Sequence, residues 1–147
     1  MKKKRIVLII TMLILLPLLS ACSNDAQVEI ITERFFVQQV SNVLENLDRY
    51  TGRTIQLEGV FLSWNEGLPD SDTYYFVLRF LSGCCGGGGT VGFEIYMGDF
   101  APLEDDAWVS VTGVLEIRDG WIPNNPVLVV TEIEELPERG EETVFSS

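Results

Sequence analysis

The sequence contains no histidine and only three cysteines. Histidine is the commonest general base in enzymes and the commonest metal ligand, so its absence excludes imidazole metal sites and Ser/His/Asp or Cys/His catalysis. Two of the cysteines, Cys84 and Cys85, are adjacent and cannot form a long-range disulfide within the chain. We therefore expect no enzymatic activity from this chain.

Positive charge is also scarce. The chain has 22 acidic and 10 basic residues, a net charge of −12, and its lysines occur only at positions 2, 3 and 4. Because binding to nucleic acid depends on Lys and Arg contacts with phosphate, we expect no nucleic acid partner. The acidity favours a well-solvated domain exposed on a surface.

The longest apolar run, at residues 6–19, is short for a membrane span. A spanning helix needs ~20 apolar residues, and this run contains Pro17. Basic residues precede it, and it leads into Leu-Ser-Ala-Cys22, which resembles the lipobox of bacterial lipoproteins. In such proteins the cysteine carries a lipid, and two or three acyl chains hold a protein durably on a membrane. Residues 1–21 are predicted to be a lipoprotein signal peptide and Cys22 to be lipidated, on the extracytoplasmic face of a bacterial cell membrane.

A tether and a helix are predicted to follow Cys22. Residues 22–31 begin with a polar stretch and are predicted to be the tether. Thr32 is a suitable N-cap for a helix, and Gly52 is a suitable end for it. The apolar residues between them fall on one stripe, which predicts an amphipathic helix packed on a core. The stripe contains Phe36, Val40, Val43, Leu44 and Leu47.

From Thr54 the apolar residues recur at every second position, which is typical of β-strands. Gly59 and Gly113 lie inside two strands, where glycine indicates a bulge or a close backbone contact. One helix followed by five short strands predicts a mainly β fold built as a small five-stranded OB-like barrel, with an SH3-like barrel or a small sandwich as alternatives. The domain is expected over residues 32–136, and residues 137–147 are expected to form a loose polar tail. The four strands after the first are predicted at 74–81, 91–97, 108–117 and 127–136.

The adjacent thiols Cys84 and Cys85 have three possible roles. They could bind a metal such as zinc or copper(I), with carboxylates or a partner completing the ligand set. They could form a strained vicinal disulfide, since adjacent Cα atoms lie ~3.8 Å apart, below the usual disulfide range. They could also be two small apolar residues at a strand end. The four glycines that follow, residues 86–89, permit turns closed to other residues.

Two tryptophans, Trp64 and Trp121, lie in loops that would flank the ligand face of an OB-like barrel. Their rings could stack on a sugar or a peptide, or they could be rim residues that cover the barrel ends. The acidic residues Asp70, Asp72 and 104–106 lack the ligand spacing of an EF-hand loop and are interpreted as solvated turns.

Several short motifs occur in a recognisable combination. Together they resemble the C-terminal domain of the bacterial DUF1980 family, also called the YcgQ-like or predicted permease-subunit family, over about residues 32–136, which is most of the chain after Cys22. Members of that family generally carry membrane spans before this domain and are paired with a predicted permease, so the resemblance implies a partner permease. It also implies an indirect link to metal handling. The motifs are Tyr50-x-Gly52-Arg53-x-Ile55, Gly59, Arg79-Phe80 followed by Cys84-Cys85, Val91-Gly92, and Trp108-Val109-x-Val111-x-Gly113.

Two departures from that family pattern affect the expected function. A lipoprotein signal stands where the spans would be, so transport by this chain itself is not expected. The Cys-Cys pair is followed by glycines where the family has Ala-Ala-Asp, so the acidic residue that could complete a metal site is missing. The sequence predicts a lipid-anchored binding or accessory module linked to a metal or to thiol chemistry at Cys84 and Cys85. The alternative is a cell-surface module that binds sugar or peptide through Trp64 and Trp121.

Overall fold

A computed structural model describes residues 28–65, 73–82 and 88–145. Strands account for most of this part of the chain, and one helical segment precedes the long strands. The strands are β1 (Glu29–Ile30), β2 (Thr54–Trp64), β3 (Tyr74–Ser82), β4 (Gly89–Tyr96), β5 (Trp108–Arg118), β6 (Asn125–Glu135) and β7 (Thr143–Phe145), and the helices are a 3₁₀ turn (Glu33–Phe35), α1 (Phe36–Glu45) and α2 (Leu47–Tyr50).

Five of the strands pair in a closed ring. The order is β2, β3, β4, β6, β5 and back to β2, and every pairing is antiparallel except β4 with β6. Closure removes the free edges that an open sheet would present. The predicted mainly β fold with one N-terminal helical segment and a small OB-like barrel is confirmed. The interior is filled from alternate positions of the strands, including Ile55, Leu57, Phe61, Val77, Phe93, Ile95, Val109, Val111, Leu115 and Leu128.

Gly59 and Gly113 allow the strands to approach closely, as predicted. A Cβ on Gly59 would lie 2.8 Å from the carbonyl oxygen of Leu78, and a Cβ on Gly113 would lie 2.7 Å from that of Val129. The register between β5 and β6 shifts between Thr112 and Gly113, which is the signature of a bulge. Ile117 continues the apolar alternation of β5 in the sequence, which predicts an inward side chain, but it does not face the interior. It lies past the last residue of β5 that pairs with β2, and its side chain is exposed.

The helical segment begins at the predicted place with a different cap. The hydroxyl of Thr32 makes no capping bond to the helix. The side chain of Gln39 instead reaches back, and its Oε1 accepts from the backbone N–H of Thr32 at 2.9 Å and from its hydroxyl at 3.0 Å. The segment ends before Gly52, whose φ of +82° lies in the left-handed region that favours glycine. No helix in the described ranges is long and apolar enough to cross a membrane.

The helix stripe agrees with the prediction at four of its five positions. Phe36, Val40 and Val43 are buried, and Leu47 packs partly against the core. Leu44 is an exception because it remains largely exposed at the rim of a surface cavity.

Both ends of the described chain belong to the folded domain. Glu29 and Ile30 pair in parallel with β2, and Ile31 is buried, so the last residues of the predicted tether are part of the fold. The segment after residue 136 is folded rather than a loose tail. Its strand β7 pairs in parallel with β3, and the side chain of Val144 enters the core.

Candidate functional site

Three aromatic rings meet on the surface where β2 ends and β3 begins. Trp64 and Tyr74 are direct cross-strand partners in the β2–β3 pair, and Trp121 lies in the connection between β5 and β6. The ring centroids of Trp64 and Trp121 are 5.9 Å apart at an interplanar angle of 78°, and those of Tyr74 and Trp121 are 5.9 Å apart at 83°. Trp64 and Trp121 stay 46% and 44% exposed. We call Trp64, Tyr74 and Trp121 the aromatic corner.

Glu94 holds the loop that carries Trp121. Both of its carboxylate oxygens accept the backbone N–H of Trp121, at 3.0 and 3.1 Å, and one also accepts from the side-chain amide of Asn125. Glu94 is only 7% exposed because this loop covers it. Gly120 allows the loop to lie this close to the carboxylate of Glu94, since a Cβ on Gly120 would lie 2.6 Å from Oε2 of Glu94. The position of Trp121 therefore depends on a buried carboxylate and a residue without a side chain.

The position of Trp64 is fixed through its neighbour Ser63. The backbone N–H and hydroxyl of Ser63 donate to the two carboxylate oxygens of Asp105, at 2.6 and 3.0 Å. The next carboxylate, Asp106, pairs with Arg139 at 2.7 Å, and this hydrogen bond lowers the pKa of Asp106. The turn at 104–106, interpreted from the sequence as solvated, thus fastens the end of β2 and part of the C-terminal segment.

Two cavities adjoin the aromatic corner, and Glu94 lines both. The larger, about 300 Å³, is lined by Tyr74 and also by Tyr96 and Arg118. The smaller, about 260 Å³, is lined by Trp121 together with the outward side chains of Phe76 and Leu78 on β3. The corner and the cavities form one continuous surface across β2, β3 and β4, which is the surface that OB-folds use for ligands.

Arg79 lies on the opposite face of β3, inside the barrel. It is 1% exposed, its Nε donates to the carbonyl of Glu58 and its Nη1 to that of Glu141, each at 3.0 Å. The guanidinium lies 4.5 Å from the ring centroid of Phe36 and 4.9 Å from that of Trp108. Burial lowers the pKa of Arg79, and nearby carboxylates partly offset this effect. With its donors directed at backbone carbonyls, Arg79 ties the middle of β2 to the C-terminal segment.

The structure brings the rings of Trp64 and Trp121 into contact, and it places Trp64 at the end of β2 where the sequence predicted a loop. Sequence reasoning missed Tyr74, although it begins a strand directly after the loop that follows Trp64. It also missed Glu94 and Arg79, each a single charge in a strongly apolar strand, which is the signal that could have drawn attention to them.

The predicted lipidation site Cys22 and the predicted metal ligands Cys84 and Cys85 lie outside the described residues. The strands on either side of the cysteine pair are described, and Leu81 pairs with Gly89. The pair therefore falls in the short connection of the β3–β4 hairpin. Among the residues with described positions, no group of three His, Cys, Asp or Glu side chains could hold a metal ion.

A comparison with curated proteins returns no match to the chain. A comparison with protein families matches residues 17–146 to the DUF1980 C-terminal domain. This match covers most of the chain and agrees with the motifs around Gly52, Arg79 and Trp108. The chain therefore belongs to the DUF1980 C-terminal domain family.

Proposed function

We propose that this chain is a non-catalytic binding module, attached to the outer face of a bacterial membrane through Cys22, that holds its ligand on the aromatic corner. The observation that supports this proposal is the contact of Trp64, Tyr74 and Trp121 at a solvent-exposed position. Monomeric domains seldom leave large aromatic rings grouped on the surface unless something binds there.

The surroundings of the corner support a preformed site. Trp121 is held through Glu94, and Trp64 follows a serine held by Asp105. Rings fixed in this way lose little conformational entropy when a ligand binds. A preformed aromatic surface with two small cavities suits a small ligand or the end of a longer one.

The proposed setting is an accessory role beside a membrane transport partner. The predicted lipoprotein signal at residues 1–21 supports membrane attachment, and what the family resemblance implies supports a permease as the partner. In this arrangement the module binds on the outer side, and transport is performed by the partner.

The indole N–H resonances of the three tryptophans test the binding surface directly. The protein is purified from membranes in a nonionic detergent with ¹⁵N-labelled tryptophan and titrated with chito-oligosaccharides, short peptides and alkylammonium compounds. At least one class should shift the resonances of Trp64 and Trp121 and leave that of buried Trp108 unchanged. The proposal predicts loss of the shift in the double variant Trp64→Ala/Trp121→Ala and its retention in Phe145→Ala. A panel with no response, or a response that survives the double variant, contradicts it.

A second proposed function is metal or thiol chemistry at Cys84 and Cys85. The observation that favours it is the adjacency of the two thiols in the sequence, between the paired strands β3 and β4. Native mass spectrometry with thiol labelling before and after reduction tests it. A retained zinc or copper ion that is lost in Cys84→Ser or Cys85→Ser supports a metal site. Thiols that react only after reduction support a vicinal disulfide, and two free thiols without metal reject both.

A further inference from the structure

We infer that the aromatic corner binds a small organic cation through an alkylammonium group, an inference that rests on the proposed function. The geometry of the three rings favours such a ligand. Trp121 stands nearly perpendicular to both Trp64 and Tyr74, so the three rings form a corner instead of one flat platform. A compact, rounded group such as a methylated ammonium touches two walls of a corner at once, whereas a pyranose ring stacks on one face.

The electrostatics of the corner favour a positive ligand. Aromatic faces carry partial negative charge and attract cations, and ammonium ligands are commonly bound in cages of such rings. Glu94 lies directly beneath the corner, and its polar contacts are the N–H of Trp121 and the amide of Asn125. Among the described residues no arginine lies within ion-pair distance of it. Its negative charge is thus hydrogen-bonded but not neutralised, and it borders both cavities.

Tyr96, an aromatic residue near the corner, already contacts a cation of the chain itself. The guanidinium of Arg118 lies 4.1 Å from the ring centroid of Tyr96, in the wall of the larger cavity. Glu116, at 4.0 Å, and the adjacent Asp119 offset the charge of this arginine. The chain as a whole carries a net charge of −12, so its long-range field also attracts cations. No such internal cation occupies the rings of the aromatic corner among the described contacts.

Choline and 3,3-dimethyl-1-butanol provide the test, because the alcohol has the shape of choline without its charge. Each is titrated into the full protein in a nonionic detergent while the indole resonances are recorded. Choline should shift the resonances of Trp64 and Trp121 but not that of Trp108, with an affinity about tenfold or more above that of the alcohol. Trp64→Leu should weaken choline binding about threefold or more. Phe145→Leu, which removes an exposed ring elsewhere, should leave choline binding unchanged.

Each further outcome has a defined meaning. Equal affinity for the two probes overturns the inference and leaves an apolar binding surface, so the proposed function survives. A response to a sugar or a neutral peptide without a response to choline also overturns the inference, and the proposed function again survives. Stronger binding of Nα-acetyl-lysine amide than of choline places the cation on a partner protein and overturns the small-molecule assignment. Glu94→Gln, which also loosens the hold on Trp121, should weaken binding of choline by a larger factor than binding of the alcohol, and an equal loss for both probes contradicts the role given to its charge.

Discussion

Arg79 and Glu94 are the two charged side chains that are buried within the described part of the chain, and they are buried for different purposes. Arg79 points into the barrel, between the rings of Phe36 and Trp108, and its hydrogen bonds end on backbone carbonyls. Glu94 points outward and is covered by the loop that carries Trp121 and by Asn125 at the start of β6. Cavities border Glu94, whereas aromatic side chains enclose Arg79.

The charge of Arg79 stabilises the barrel, whereas the charge of Glu94 holds a surface loop in place. A buried charge is tolerated when hydrogen bonds satisfy it, and removing it leaves its former partners unpaired. For Arg79 those partners are carbonyls of β2 and of the C-terminal segment, so the cost falls on the barrel. For Glu94 the main partner is one surface loop, so the cost falls on the aromatic corner.

The largest effect is expected from Arg79→Met. The substitution keeps much of the volume but leaves the carbonyls of Glu58 and Glu141 without their donors and removes two cation–π contacts. The free energy of unfolding should fall by about 3 kcal/mol or more. Urea unfolding followed by circular dichroism measures this change. Arg79→Lys keeps the charge without the planar fork and should recover only part of the loss. A loss below about 1 kcal/mol for Arg79→Met would show that Arg79 does not hold the barrel.

A smaller loss of stability is expected from Glu94→Gln, with a larger effect on the corner. The amide replaces one of the two oxygens that face the N–H of Trp121 with an NH₂ donor, which cannot accept, so unfolding should become easier by about 1–2 kcal/mol. The indole resonance of Trp121 should move and that of Trp108 should not. If both resonances move equally, the effect of Glu94 is not confined to the surface, and the distinction from Arg79 fails.

Periodicity in the sequence was sufficient to predict the barrel. The alternation that fills the interior is visible at residues such as Ile55, Leu57 and Val111, and the glycines at 59 and 113 mark the close approaches. The sequence also predicted that Trp64 and Trp121 lie at the same side of an OB-like barrel, but it did not predict their ring contact or the place of Trp64 at the end of β2.

The roles of the two buried charges could not be predicted in this way. Arg79 falls on an inward position, but only the structure shows that backbone carbonyls and rings surround it. Glu94 falls on an outward position, where a charge is expected to be solvated, and its burial depends on a loop distant in sequence. The strand β7 was missed because it has three residues and follows a polar stretch, so its periodicity is too short to detect.

Gly120→Ala tests the packing of the loop on Glu94 without removing any charge. The added Cβ would lie 2.6 Å from the carboxylate of Glu94, so the loop or the carboxylate must shift. The free energy of unfolding should fall by about 1 kcal/mol, and the Trp121 resonance should move as it does in Glu94→Gln. Gly89→Ala is the matched control, because its Cβ would lie at ordinary contact distance, 3.5 Å from the side chain of Leu81. Equal effects of the two substitutions would argue against tight packing of the loop on Glu94.

The smallest effect is expected at an arginine on the surface, Arg139, which contrasts with buried Arg79. Its hydrogen bond to Asp106 lowers the pKa of that carboxyl in the folded state. A depressed carboxyl pKa adds stability above the unfolded value of about 3.9, and this contribution is lost as the pH falls through the folded pKa. Both groups are solvent-accessible, so solvent screening keeps the contribution small. Unfolding midpoints at pH 6 and pH 3 should therefore differ slightly less in Asp106→Asn than in the unsubstituted protein. An identical pH dependence would mean that this ion pair contributes no measurable stability, whereas Arg79 would keep its full effect at both pH values because it does not titrate in this range.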